Sequence, residues 1–197
     1  MSTAIRPMTA EEFFEFAGRP ENEDRLFELD EGEVVELPPP PTRPHGFVCG
    51  NVAFVLGNYV RDRGTGFLFT NDTGLVVSRN PDTVRSPDIA LHEGDVDLED
   101  LEEELGYSDA VPTLIVEVLS PSNRPGEVLR EVNQYLHGGV KLVWVVDPVA
   151  KDVILHQPGS EPVVLRADEA IEGGETLAGF TCPVTDFFRV RKGKRGN

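Results

Sequence analysis

Two acidic residues lie in apolar surroundings, where a charge is costly. Glu117 interrupts the aliphatic run Leu114–Leu119, which predicts a buried strand. Asp88 follows Pro87 and opens the short apolar segment Ile89–Leu91. Because an unpaired buried carboxylate is strongly destabilising, such residues usually have a cation, a hydrogen-bond donor or a metal ion as partner. The two acids together therefore suggest a metal site.

Each acid also has a purely structural interpretation. Glu117 could be hydrogen-bonded to a neighbouring loop, and Asp88 could cap a turn after its proline. As a pair, the two carboxylates match the preference of Mg²⁺, which takes one or two protein acids and keeps several waters. Such an ion can position and ionise a water and stabilise charge on a phosphoryl group.

A helix after the Glu117 strand places further polar groups near its end. Asn123-Arg124-Pro125 predicts the helix start, and Gly138-Gly139 predicts its end. Glu127, Glu131 and Tyr135 recur at intervals of four residues and so share one face. We expect this face to lie over the end of the preceding strand.

Periodicity predicts the remaining elements. Helices are expected over 9–17, 46–63 and 125–138, the last with Val128, Leu129, Val132 and Leu136 buried. Strands are expected over 67–70, 74–78, 88–91, 114–119 and 142–146, with hairpins over 25–37 and 152–166. The parts around 114–146 form a strand–helix–strand unit, which requires parallel strands. The fold class is therefore α/β.

Composition limits the class of protein. The 197 residues suit one domain over 1–197, with a core at about 8–190 and a basic tail at 191–197. The net charge of −17 argues mildly against a nucleic-acid partner, and the eight acids between 93 and 104 predict a solvated loop or an exposed helix. No apolar run suits a membrane span or a signal peptide, so we expect a cytoplasmic protein.

Histidine and cysteine residues give weaker signals. His45 follows a proline run and precedes the predicted helix, so it serves either in capping or packing, or as a general acid or base. Cys49 and Cys182 lack a CxxC or His-rich context, which disfavours a thiolate zinc site. Buried, reduced thiols are the expectation for both.

Several segments in order resemble one known family over about residues 8–190. The segments are Phe27–Glu33, His45, Arg85–Asp88, Val116–Ser122, and Tyr135 through Gly139-Val140 to Trp144–Pro148. They resemble the Uma-two family of restriction endonuclease-like proteins, in the PD-(D/E)XK nuclease-like superfamily. The resemblance implies a mixed central β-sheet flanked by helices.

The resemblance also implies an activity and its residues. Asp88 and Glu117 would hold Mg²⁺, or Mn²⁺ in its place, and Glu28 would be a supporting catalytic acid from the first hairpin. The implied reaction is hydrolysis of DNA phosphodiester bonds, and a homodimer is plausible because many such folds pair to reach both strands.

One position departs from the family pattern. The superfamily lysine is often two residues after the second acid, where this chain has Leu119, or four residues before the tyrosine, where it has Glu131. A glutamate there adds like charge and should raise at least one carboxyl pKa. Arg130 and Lys141 are the neighbouring cations. The alternative is therefore a catalytically weakened homologue that binds metal, nucleic acid or protein.

Overall fold

The computed structural model describes residues 6–38, 42–71, 73–103 and 106–189. The predicted basic tail at 191–197 lies outside the described residues. The helices within them are α1 (Ala10–Ala17), α2 (Arg43–Arg63), α3 (Leu98–Glu103) and α4 (Pro125–His137). The strands are β1 (Phe27–Asp30), β2 (Glu33–Glu36), β3 (Phe67–Thr70), β4 (Leu75–Ser78), β5 (Thr83–Arg85), β6 (Ile89–His92), β7 (Leu114–Val118), β8 (Leu142–Asp147), β9 (Asp152–His156), β10 (Val163–Leu165), β11 (Ala170–Glu172) and β12 (Thr181–Pro183).

A six-stranded mixed sheet carries the site, with strand order β10-β9-β8-β7-β6-β3. Strands β7 and β8 run parallel, with Glu117 opposite Val145, whereas the other neighbours are antiparallel. Helix α4 connects the parallel pair. The predicted strand–helix–strand unit and mixed central sheet are therefore confirmed.

The two faces of this sheet are covered by different helices. Alternation along β7 sends Leu114, Val116 and Val118 towards α2 and Ile115 towards α4. The α2 face is closed by the buried residues Val48, Val52, Leu56, Trp144 and Phe187. The α4 face is closed by the buried residues Val132, Tyr135, Val140, Val143 and Val145.

A second sheet, in order β2-β1-β5-β4, packs under α1. The predicted hairpin is present, and its loop residues Glu31 and Gly32 have φ of 50° and 82°. Two positive φ values in a two-residue loop match the twist of the flanking strands. The predicted helix start is also confirmed, since Thr9 and Glu12 form a reciprocal capping box.

Some expectations need correction. Helix α2 begins at Arg43 rather than at 46, because Pro44 fits the first helical turn. His45 therefore lies inside that turn and does not precede the helix. Leu129 is 53% exposed, so it is not part of the buried stripe of α4. The sequence pattern did not predict strands β5, β11 and β12, because three residues are too few to show an alternation with a period of two.

Helix α4 is held closely against the second sheet at its end. A Cβ atom added to Gly138 would lie 2.6 Å from the carbonyl oxygen of Val77 in β4. A glycine is therefore required there by the close approach of the two backbones. Part of the acidic segment forms helix α3, in which Glu99 and Asp100 are exposed, in line with one of its two interpretations. Among the described helices, none combines the length and apolarity needed to cross a bilayer.

Candidate functional site

Asp88 and Glu117 lie at the same end of two neighbouring strands. Ile89 pairs with Val116 in the antiparallel β6–β7 ladder, and Asp88 and Glu117 are the residues just beyond this pair. The backbone N–H of Val118 donates to Asp88 Oδ2 at 2.7 Å. This bond continues the ladder through a side chain and holds the Asp88 carboxylate at the end of the sheet. The two acids that the sequence predicted are brought together.

Glu117 extends from β7 towards α4. Its Oε1 accepts a hydrogen bond from the Tyr135 hydroxyl at 2.7 Å. Burial, and then the negative charge of Asp88, raise the pKa of Glu117 well above its usual range, and the Tyr135 bond opposes that rise. Burial and the charge of Glu117 also raise the pKa of Tyr135, so this hydroxyl stays a donor. The predicted overlap of the α4 face with the end of β7 is confirmed.

The second oxygen of Asp88 faces the other helix. His45 Nε2 lies 3.2 Å from Asp88 Oδ1, and the two side chains are only 9% and 13% exposed. Cys49, one turn later on α2, places its Sγ 3.5 Å from His45 Nδ1. The ligand atoms of these three residues all lie within 4.8 Å of one another. At this end of the sheet, Asp88 therefore contacts His45 of α2 on one face. Glu117 contacts Tyr135 of α4 on the other face.

Sequence reasoning missed this second cluster. Its only signal is the spacing of four residues between His45 and Cys49. Neither Cys49 nor Cys182 forms a disulfide within the described residues, as expected, although only Cys182 is fully buried.

Glu28 is buried and both of its oxygens accept hydrogen bonds. Arg85 Nη1 donates at 2.6 Å to one oxygen, and the Ser86 backbone N–H donates at 3.0 Å to the other. Arg85 is 4% exposed and also contacts Asp30 and Gln134. Glu28 therefore ties strand β1 to the segment that leads into Asp88, and its predicted catalytic role stays a prediction. Arg85 is a buried cation to which the sequence had assigned no role.

Glu131, at the position where the family pattern has lysine, is half-buried beside this network. Burial, and then the charge of Glu28, raise its pKa to about 7, although Arg85 opposes the rise. The charge of Glu131 also contributes to the raised pKa of Glu117. The expected rise of a carboxyl pKa is thus confirmed. Glu131 is therefore not a fully solvated helix residue, because α4 packs it close to the buried acids.

The two neighbouring cations both pair with other acids. Arg130 Nη1 lies 2.5 Å from Asp30 Oδ2. Lys141 precedes β8, four residues before the partner of Glu117, which corresponds to about 13 Å along a strand. Its Nζ lies 3.9 Å from Glu93 instead.

One cleft reaches Asp88, and another reaches Glu28 and Glu131. The first, of about 310 Å³, runs along α2 and is lined by His45, Cys49 and Asp88 together with Thr70 and Asn71. The other, of about 670 Å³, runs along α4 and is lined by residues that include Glu28, Arg85, Arg124, Arg130 and Glu131. Arg124 is 82% exposed there. A ligand can therefore reach Asp88 from the α2 side, and Glu28 and Glu131 from the α4 side.

Comparison with known proteins agrees with this architecture. A solved structure of similar fold is the crystal structure of a putative nuclease belonging to DUF820 from Anabaena variabilis ATCC 29413. The TM-score is 0.74 at 20% sequence identity, and the match covers 92% of this chain and 98% of that one. The expected restriction-endonuclease-like fold is thereby confirmed. No curated protein matches the chain.

A family model provides the stronger link. The model described as "Uma2: Putative restriction endonuclease" matches residues 10–185 of the chain. This span contains Glu28, Asp88, Glu117 and the whole of helix α4. The chain therefore belongs to the Uma2 family, as its motifs predicted.

Proposed function

We propose that the protein is a Mg²⁺-dependent endodeoxyribonuclease that hydrolyses DNA phosphodiester bonds, with Mn²⁺ able to replace Mg²⁺. Asp88 and Glu117 would hold the metal, with Glu28 as the supporting acid. The observation that carries the proposal is that Asp88 and Glu117 lie just beyond the last pair of the β6–β7 ladder, close enough for the charge of Asp88 to raise the pKa of Glu117. Family membership supports the reaction class.

The donor set fits a hard divalent cation. Two like charges held together in a partly buried place are unfavourable unless a cation offsets them. Carboxylate oxygens from one or two acids, completed by water, are the usual ligands of Mg²⁺. Because the Val118 N–H and His45 contact the two oxygens of Asp88, and Tyr135 donates to one oxygen of Glu117, both carboxylates are oriented before any ion binds.

Neighbouring residues hold the metal-binding acids in position and offset nearby negative charge. Tyr135 fixes the Glu117 carboxylate, and the Val118 N–H fixes Asp88. Arg85 offsets the charge of Glu28 and Asp30 behind the site. A metal bound by these acids would supply a water of lowered pKa and stabilise charge on the phosphoryl group.

We place the substrate backbone in the cleft along α4, which is lined by the supporting acid Glu28. Its exposed Arg124 and Arg130 offer cationic groups to phosphates, despite the acidic net charge of the chain. We further propose that residues 8–190 act as one nuclease-like domain, that two copies pair to reach both strands, and that the protein is cytoplasmic. The two cysteines, which form no disulfide in the part of the chain that the structure describes, are consistent with a reducing compartment.

The position of Glu131 favours a second candidate function. Lysine would offset negative charge that develops during hydrolysis, whereas a half-buried glutamate adds to it. The site would then bind a divalent ion and nucleic acid with little or no cleavage. This alternative is a catalytically weakened binding module on the same fold.

Nicking of supercoiled plasmid DNA with Mg²⁺ or Mn²⁺ tests the proposal. The wild type should nick the plasmid, and Asp88→Asn, which keeps the shape of the side chain, should abolish nicking. The matched control is Asp95→Asn, an exposed acid in the loop after β6, which should cut at the wild-type rate. Equal cutting by Asp88→Asn and the wild type would exclude the proposed metal ligand.

A gain-of-function variant separates the two candidates. If the wild type does not cut and Glu131→Lys does, the chain is the weakened homologue, and one missing cation explains its inactivity. If neither protein cuts with either metal, hydrolysis is refuted for this chain. Binding of a fluorescent duplex in Ca²⁺, with and without Asp88→Asn, then decides whether the binding function remains.

A further inference from the structure

A cluster on the α2 side of Asp88 has a different chemistry from the proposed Mg²⁺ site. His45 and Cys49 are one turn apart on α2 and present an imidazole and a thiol to the same carboxylate. Imidazole nitrogen and thiolate sulfur are preferred ligands of Zn²⁺ and similar ions, whereas Mg²⁺ prefers oxygen. The three side chains therefore select a softer metal than two carboxylates do.

The distances are close to those of a tetrahedral zinc shell. His45 Nε2 lies 3.2 Å from Asp88 Oδ1 and 4.0 Å from Cys49 Sγ. Neighbouring ligand atoms around tetrahedral Zn²⁺ are separated by about 3.3–3.6 Å, given its bond lengths to nitrogen, oxygen and sulfur. Since no pair of these ligand atoms exceeds 4.8 Å, only a small side-chain adjustment is needed to close the shell.

The cluster is accessible to an ion from solvent. It lines the cleft of about 310 Å³ along α2. Gly46 and Gly50 face that cleft, and a Cβ atom at either position would meet nothing within 4 Å. This leaves room for a hydrated ion to enter and for a water to serve as fourth ligand, as in zinc sites with three protein ligands.

We propose that His45, Cys49 and Asp88 form a second metal site, selective for Zn²⁺ or a similarly thiophilic divalent ion. Binding would release the thiol proton of Cys49 to solvent as the metal–sulfur bond forms. Because the site uses Asp88, an ion held there removes one of the two Mg²⁺ ligands. Thiophilic metals therefore inhibit the nuclease, and this regulatory part of the inference rests on the proposed function.

Metal binding is tested without any measurement of cleavage. Co²⁺, a spectroscopic substitute for Zn²⁺, is titrated into metal-free protein while sulfur-to-cobalt charge-transfer absorption is recorded. The wild type should bind one equivalent with this absorption, and Cys49→Ser should lose the band. Removing one direct ligand should weaken binding at least about tenfold, since even outer-shell changes cost that much. Cys182→Ser, which removes the other thiol, is the matched control and should keep the band.

A second measurement needs no variant. Zn²⁺ should slow alkylation of Cys49 by iodoacetamide, located by mass spectrometry, whereas Mg²⁺ should not. The proposal is overturned if the wild type shows no charge-transfer band, if Cys49→Ser binds Co²⁺ as the wild type does, or if Zn²⁺ leaves the alkylation rate unchanged.

The regulatory part has its own readout. Zn²⁺ should suppress Mg²⁺-supported cleavage by the wild type, and a chelator selective for Zn²⁺ should restore it. Expressed relative to each variant's own Mg²⁺-supported rate, the inhibition should be lost in Cys49→Ser and kept in Cys182→Ser. Equal inhibition in both variants refutes regulation by this site. Co²⁺ binding in a protein that does not cut would instead refute the proposed hydrolysis and leave the second metal site intact.

Discussion

Replacing Glu131 by glutamine should stabilise the protein at alkaline pH and leave it unchanged at acid pH. Glu131 has a pKa of about 7 in the folded chain, against 4.5 when unperturbed. The folded state therefore keeps a proton that the unfolded state loses between these values. The contribution of Glu131 to the free energy of unfolding is therefore fully present below its pKa in the unfolded state. It is lost as the pH rises through its pKa in the folded state. Glutamine mimics the protonated acid at every pH.

The size of the effect follows from the shift. A difference of about 2.5 pKa units corresponds to at most about 3.4 kcal/mol. Because the side chain is only half-buried, solvent screening reduces this limit, and we expect about 1–2 kcal/mol at about pH 8. At about pH 4.5 the difference between variant and wild type should be close to zero.

Urea unfolding at the two pH values, in the presence of EDTA, measures the difference. Glu15→Gln, an exposed substitution of the same kind on α1, serves as control and should show no comparable pH-dependent gain. The reasoning is refuted if Glu131→Gln equals the wild type at the higher pH. It is also refuted if the variant is equally stabilised at both values, since the gain would then not come from ionisation.

Three further substitutions test the architecture. Arg85→Met should destabilise the fold by about 3–5 kcal/mol, because it leaves buried carboxylates of β1 without their cation; a urea-unfolding loss below about 1 kcal/mol would contradict this. Tyr135→Phe should raise the Mg²⁺ concentration for half-maximal cleavage about 10–100-fold by releasing Glu117, and an unshifted titration with an intact circular dichroism spectrum would argue against that role. Thr9→Ala should cost about 1 kcal/mol in thermal or urea unfolding through loss of the α1 cap, and an unchanged midpoint would show that the capping box contributes little.

The spacing of residues within one strand or one helix was enough to predict the parts of the site that lie on a single strand or helix. The aliphatic run around Glu117 identified β7, and the four-residue spacing in α4 identified the face that carries Glu131 and Tyr135. These inferences succeed because side-chain direction repeats with the period of each element. The cap at Thr9 succeeded for the same reason, since its two hydrogen bonds join residues three apart.

Contacts between distant segments could not be predicted in this way. The pair of Glu28 and Arg85 joins residues 57 apart, and Arg85 belongs to a three-residue strand without a readable period. The spacing of His45 and Cys49 was visible, but the sequence does not say which helix face meets Asp88. Both networks depend on how α2, β1 and β5 pack around the central sheet.

The absence of a side chain at Gly138 restricts how this protein can be engineered. Replacing a glycine at a helix terminus by alanine is a common stabilising strategy, since it limits the freedom of the unfolded chain. Here the added methyl group would meet the backbone of β4, so no trimming of a neighbouring side chain could make room for it. The helix itself would have to move outward, carrying positions 131 and 135 away from β7. Mutant libraries designed to raise the thermal stability of this protein should therefore keep Gly138 unchanged.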